Sequence, residues 1–129
     1  IDLLVNRARS FIYSTAPPPA QSAAALAGLK IIRSDEGAAL RDKLWSNIRH
    51  FAELTQCELP TSSIIPWHVG DSEAALVLSQ KLQAQHSILA PAVRYPTVPR
   101  NTARLRITLT AMHSPQNISD LCSAIRKSL

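Results

Sequence analysis

Aromatic side chains make up only 5% of the 129 residues, and none is interleaved with basic residues in the way that stacks nucleic-acid bases. That scarcity weighs against a nucleic-acid partner even though the net charge is +5 and the pI is near 9.8, because the excess positive charge is not gathered into one block. The positive balance points instead to small acidic substrates. There are two cysteines, Cys57 and Cys122, with no metal-ligand spacing. Both fall in segments read as helical, and with no secretory leader they are expected to be reduced thiols in a cytoplasmic protein. No apolar run approaches the roughly 20 residues that span a bilayer, so no membrane partner is expected. The chain begins with isoleucine and carries no targeting pattern, and it is therefore expected to be part of something longer. No internal repeat is present.

What the sequence does have is a hydrophobic content of 46% with a mean hydropathy of zero, enough for one domain with a real core. Its most informative stretch runs from Arg94 to His113. From Arg104 onward polar and apolar residues alternate, placing Arg104, Arg106, Thr108 and Thr110 on one face and Leu105, Ile107, Leu109 and Ala111 on the other, which predicts a half-buried strand. Pro96 and Pro99 stand upstream with no glycine nearby and predict a stiff connector. Two arginines on an open strand face are either solvated surface or a clamp for a carboxylate or phosphate, whose geometry the planar guanidinium fork matches.

Taken in order, Ile1–Ser10 reads as a helix end or loop, and Ser14-Thr15-Ala16 followed by Pro17-Pro18-Pro19 reads as extended. Ser14 and Thr15 on this pattern alone are ordinary turn hydroxyls. An alanine-rich run from Ala20 predicts a helix, open to interruption or recapping at Ser34-Asp35-Glu36. Leu40, Leu44, Ile48, Phe51 and Leu54 then define one apolar helical face. Ser63–Val69 predicts a strand in which Pro66 demands an edge position or a bulge. Asp71 is expected to cap a helix over Ser72–Gln85, Ser87–Val93 a second strand, and Ser114-Pro115 the start of a last helix. His50, His68 and Trp45 read as packing residues. The domain reading is an extended segment over 1–19, a long helical segment over 20–58, and a small α+β domain over 59–129. That small domain has the order β-α-β-β-α and a three-stranded antiparallel or mixed sheet with helices mainly on one face.

The block R-Y-P-T-V-P-R-N-T-A-R-L-R-I-T-L-T-A-M-H resembles the C-terminal signature of the 8-amino-7-oxononanoate synthases, members of the α-oxoamine synthase family. The resemblance extends to F-I-Y-S-T-A-P-P-P-A (Phe11–Ala20) and to S-S-I-I-P-W-H-V-G-D (Ser62–Asp71), so that three blocks in order cover most of the chain. It implies the C-terminal portion of a pyridoxal-phosphate-dependent transferase fold. The activity it implies condenses L-alanine with a pimeloyl thioester, on coenzyme A or a carrier protein, with decarboxylation, as a step of biotin synthesis in a homodimer.

The same resemblance implies that Arg106 holds the amino acid's carboxylate and that Arg94 reaches the active site to assist. It further implies that Thr15, with Ser14 beside it, contacts the cofactor phosphate bound to the neighbouring subunit. Arg104 and His113 are read as structural. The Schiff-base lysine belongs to a glycine-rich motif absent here; Lys30, Lys43, Lys81 and Lys127 fall in helical segments outside any such motif. The chain alone is thus expected to be inactive, with no catalytic residue and no metal ligand of its own. His86 and Asn101 stand where the family usually has glycine, and Asn101 is expected to tolerate a left-handed conformation better than His86. The alternatives are a sister activity such as glycine C-acetyltransferase, and a non-catalytic binding module derived from this domain.

Overall fold

The computed structural model describes residues 1–128 and divides into two compact units, Ile1–Ala38 and Ala39–Leu129. In the first unit the short helices α1 (Asp2–Arg7) and α2 (Arg9–Ile12) precede α3 (Pro19–Ile32). Residues 1–19 are thus two short helices broken at the extended Ala8, followed by an open proline-bound stretch from Ser14 to Pro18. Pro19 occupies the first turn of α3, where its missing N–H costs no helical bond. Leu26, Leu29, Ile31 and Ile32 of α3 remain exposed.

The helical run does break where Ser34 stands. Its hydroxyl donates to the Ile31 carbonyl (2.7 Å) and accepts the Gly37 N–H (3.3 Å), closing α3 and capping α4 (Asp35–Thr55) with one side chain. Gly37 is obligatory at this corner, because a Cβ there would run into the Ile31 carbonyl and Ile32.

In the second unit α4 turns Asn47, Ile48, Phe51 and Ala52 inward, following the spacing of three and four. Gln56 ends the helix with φ +54, and the Cys57 N–H reaches back to the Ala52 carbonyl. Cys57 thus lies beyond the helix it was expected to occupy, and is exposed, whereas Cys122 is buried in the last helix. There follow β1 (Ile64–Gly70), α5 (Ser72–His86), β2 (Ala92–Val93), β3 (Ala103–Thr108) and α6 (Pro115–Ser128), with the sheet ordered β1-β3-β2 and both pairings antiparallel. The Asp71 carboxylate accepts the N–H groups of Glu73 and Ala74 and starts α5. Ser114 and Asn117 cap α6 reciprocally, through the Asn117 N–H to the Ser114 hydroxyl and the Ser114 N–H to Asn117 Oδ1.

Ser87–Val93 was expected to be a strand, but only Ala92–Val93 pairs. Ser87 takes the left-handed conformation (φ +56) and the Ile88 N–H closes onto the Leu82 carbonyl, so the first residues of the segment finish α5 instead. The residue with positive φ is Ser87 and not His86, which is the last residue of the helix. Asn101 does adopt the left-handed conformation, with φ +62.

One core holds the unit together: Ile48 and Phe51 from α4, Ile65 from β1, Leu78 and Leu82 from α5, Leu105 and Ile107 from β3, and Ile118, Leu121, Cys122 and Ile125 from α6. Phe51 meets the Trp67 ring edge to face, with centroids 6.3 Å apart. The buried Asn47 amide donates one hydrogen to the Thr110 carbonyl (3.0 Å) and one to the His113 carbonyl (2.9 Å), tying α4 to the turn between β3 and α6.

Candidate functional site

Helices cover one face of the sheet, where Ile65, Leu105 and Ile107 are buried; the other face carries Ile64, Pro66 and His68 from β1 and Arg104, Arg106 and Thr108 from β3. Arg106 is exposed on that open face. Its backbone N–H donates to the Pro91 carbonyl at 2.9 Å, which fixes the strand while leaving the guanidinium unengaged among the described residues. Arg104, on the same face, is half-buried and uses its Nε to bond the Thr102 carbonyl (3.1 Å).

Arg94 leaves β2 one residue beyond the Val93–Arg104 pair and is also exposed. Its carbonyl accepts the N–H groups of Thr97 (2.9 Å) and Val98 (3.4 Å), so the proline connector folds tightly. Arg106 lies opposite Pro91, three residues back along the same segment, which separates the two arginine backbones by about 10 Å along the strand. Arg94 lies just beyond the paired residues of β2, and no hydrogen bond among the described residues joins the two side chains.

Ser14 and Thr15 lie in the first unit and are both exposed. The Ser14 hydroxyl already donates to the Phe11 carbonyl at 2.8 Å, whereas the Thr15 hydroxyl makes no hydrogen bond among the described residues. One exposed hydroxyl fits a single contact to a phosphate; it does not make a cofactor site. The four lysines are helical, in α3, α4, α5 and α6.

Two sets of side chains are not announced by the sequence, one assembled across the fold and one by the course of the proline connector. His50 Nε2 lies 3.4 Å from the Ser119 hydroxyl and its Nδ1 4.0 Å from Glu53, a serine–histidine–acid array at the surface. Ser119 donates to the Pro115 carbonyl, and the group lines neither of the two cavities described next, so nothing positions a substrate on it. Tyr95 carries the Arg100 guanidinium over its ring, a contact no periodicity announces.

A cavity of about 650 Å³ opens between the α5 exit, β3 and α6, lined by His86, Leu89, Thr108, His113, Asp120 and Lys127 among others. His113 Nδ1 accepts the Thr110 N–H (3.2 Å), leaving its other ring nitrogen free. A smaller one of about 240 Å³ has the buried Cys122 and Arg126 in its wall. Burial pushes the Cys122 thiol up, against an opposing pull from the Arg126 guanidinium. Among the described residues no cluster of three histidine, cysteine or carboxylate side chains is arranged to hold a metal, and no helix is long and apolar enough to cross a membrane.

The family model for aminotransferase class I and II matches residues 1–125. The chain belongs to the aminotransferase class I and II family. Solved structures agree with that membership. An 8-amino-7-oxononanoate synthase from Francisella tularensis is 30% identical over 98% of this chain and 37% of its own, with a TM-score of 0.76. The serine palmitoyltransferase from Sphingomonas wittichii superposes with a TM-score of 0.82 at 22% identity, covering 98% of this chain and 33% of that one. A serine palmitoyltransferase from S. paucimobilis with bound PLP and myriocin gives 0.84 at 22% identity, with the same coverage. This aminotransferase-family chain thus spans about a third of the length of the structures it matches.

Proposed function

We propose that this chain is the C-terminal part of a pyridoxal-phosphate-dependent C-acyltransferase of the α-oxoamine synthase type, which joins L-alanine to a pimeloyl thioester with loss of carbon dioxide and forms 8-amino-7-oxononanoate. The observation that carries the reading is Arg106: a guanidinium on a rigid central strand, on the sheet face the helices leave open, with its paired donors free for a carboxylate. The family membership and the 30% identity to the Francisella enzyme support it.

In this reading Arg106 binds the amino acid's carboxylate and orients the bonds at its α-carbon. Arg94 adds positive charge near the same substrate, stabilising the carboxylate or the acyl group that approaches it. Thr15 donates its hydroxyl to the cofactor phosphate of a neighbouring subunit. Pyridoxal phosphate, when bound, supplies the electron sink for the bond broken at the α-carbon. The exposed leucines and isoleucines of α3 fit a surface that the rest of a homodimeric enzyme covers.

The test is coenzyme A release from pimeloyl-CoA by the intact protein carrying this segment, with pyridoxal phosphate and with or without L-alanine. Release that depends on alanine supports the reading. Release with glycine or serine and a different acyl-CoA moves the assignment to a sister acyltransferase, and no release from folded, cofactor-loaded protein removes it.

A further inference from the structure

Arg100 lies in the connector between β2 and β3 with its guanidinium carbon 4.4 Å from the centre of the Tyr95 ring. A cation held over an aromatic face is attracted by the ring and spends none of its N–H donors on a hydrogen bond there, so they stay available to an anion. The backbone on either side is fixed. Thr97 and Val98 bond back to the Arg94 carbonyl, the Thr102 N–H and hydroxyl both bond the Pro99 carbonyl (3.3 and 2.8 Å), and Asn101 makes the left-handed turn between them.

Arg100 is exposed, and among the described residues no carboxylate pairs with it. The contact with Tyr95 on a hydrogen-bonded connector orders this cation in part before any ligand arrives, which lowers the cost of ordering it around an anion. Arg100 lies outside β3, in the connector before Ala103, and is a second cation distinct from Arg106 on the strand itself.

We propose that Arg100, held by Tyr95, is an anion-recognition residue that takes a carboxylate or phosphate of the acyl partner at a point remote from the reacting carbon. The assignment to the acyl partner rests on the function proposed above; the anion site itself does not. Two sources offer that chemistry, the free carboxylate at the far end of a dicarboxylic acyl chain and the phosphates of a coenzyme A carrier. Tyr95 is a positioning residue, acting only through Arg100.

The experiment titrates the intact protein carrying this segment separately with pimelate, with monomethyl pimelate and with coenzyme A, following the heat of binding. We expect binding of pimelate or of coenzyme A that Arg100→Gln weakens about fivefold to tenfold, with the unfolding midpoint unchanged because the side chain is exposed. Tyr95→Leu should weaken it to a similar degree and Tyr95→Phe should not. Arg100-dependent binding of pimelate but not of its monoester identifies the acyl carboxylate; Arg100-dependent binding of coenzyme A identifies the phosphates. Binding that is indifferent to Arg100→Gln, or no binding of either probe, overturns the proposal, and Arg100-dependent binding untouched by Tyr95→Leu overturns the positioning role. An intact protein without acyltransferase activity whose anion binding still needs Arg100 would lose the proposed function and keep this site. The opposite pair of results would do the reverse.

Discussion

Arg106 faces Pro66 across the ladder between β3 and β1. The Leu109 N–H to Ser63 carbonyl bond fixes the hydrogen-bonded rows of this ladder, and the Pro66–Arg106 row falls between them. Pro66 therefore needs no N–H toward β3, and its small ring beside the arginine leaves the guanidinium uncovered. The proline that demanded an edge position is on the edge, and the bulge between His68 and Gly70 adds the second feature such a strand tolerates.

Replacing Arg106 by alanine in the intact enzyme should raise the KM for the amino acid and lower kcat/KM by about tenfold to a hundredfold, the value of a charge-assisted contact. Cofactor absorbance and the unfolding midpoint should stay as they were. Steady-state kinetics with varied L-alanine check this, and unchanged constants would take Arg106 out of the site.

Thr15→Ala should weaken retention of pyridoxal phosphate by the intact protein, measured as the rate of cofactor loss on dilution or dialysis. Ser14→Ala should do less, because the Ser14 hydroxyl is spent on the Phe11 carbonyl. Equal cofactor affinity in the Thr15 variant would refute the phosphate contact.

Phe51 is fully buried and packs against Trp67. Phe51→Ala should destabilise the chain by about 3 to 5 kcal/mol, through lost burial and the cavity left behind. Urea unfolding followed by tryptophan fluorescence would report it, because Trp67 loses its ring partner.

The two thiols should differ in reactivity and in their effect on pH dependence. Iodoacetamide should label the exposed Cys57 well before the buried Cys122. With its folded pKa raised above the ordinary value of 9.0, Cys122 holds its proton in both states at lower pH, where its contribution to stability is complete. Above that value the unfolded chain ionises first, so stability should fall as pH rises until the folded thiol also titrates. Urea midpoints from pH 7 to 10 for the native chain and for Cys122→Ala should diverge in that direction.

The sequence was legible where the determinants are local. The alternation of Arg104 to Thr110, the Asp71 cap and the Ser114-Pro115 start each depend on neighbours within a turn or a strand, and each is found in the structure. The strand expected over Ser87–Val93 is confined to Ala92–Val93, because a helix exit and a strand start draw on the same few residues and the bond from Ile88 to Leu82 decides between them. The contact of Arg100 with the Tyr95 ring could not be read because it depends on how the proline connector folds back. The open placement of Arg106 follows from its alternation, whereas the carboxylate role proposed for it rests on resemblance to a family and on no periodicity.

Asn47 commits both hydrogens of its amide to carbonyls that belong to the turn beyond β3. Aspartate has almost the same outline and would enter the same space without a clash. It would bring a negative oxygen, and no hydrogen, up to two carbonyl oxygens already pointing at it. The fold thus distinguishes two side chains of nearly one shape by their hydrogens alone, and chemical deamidation at this position would unlatch the turn without altering a single packing volume.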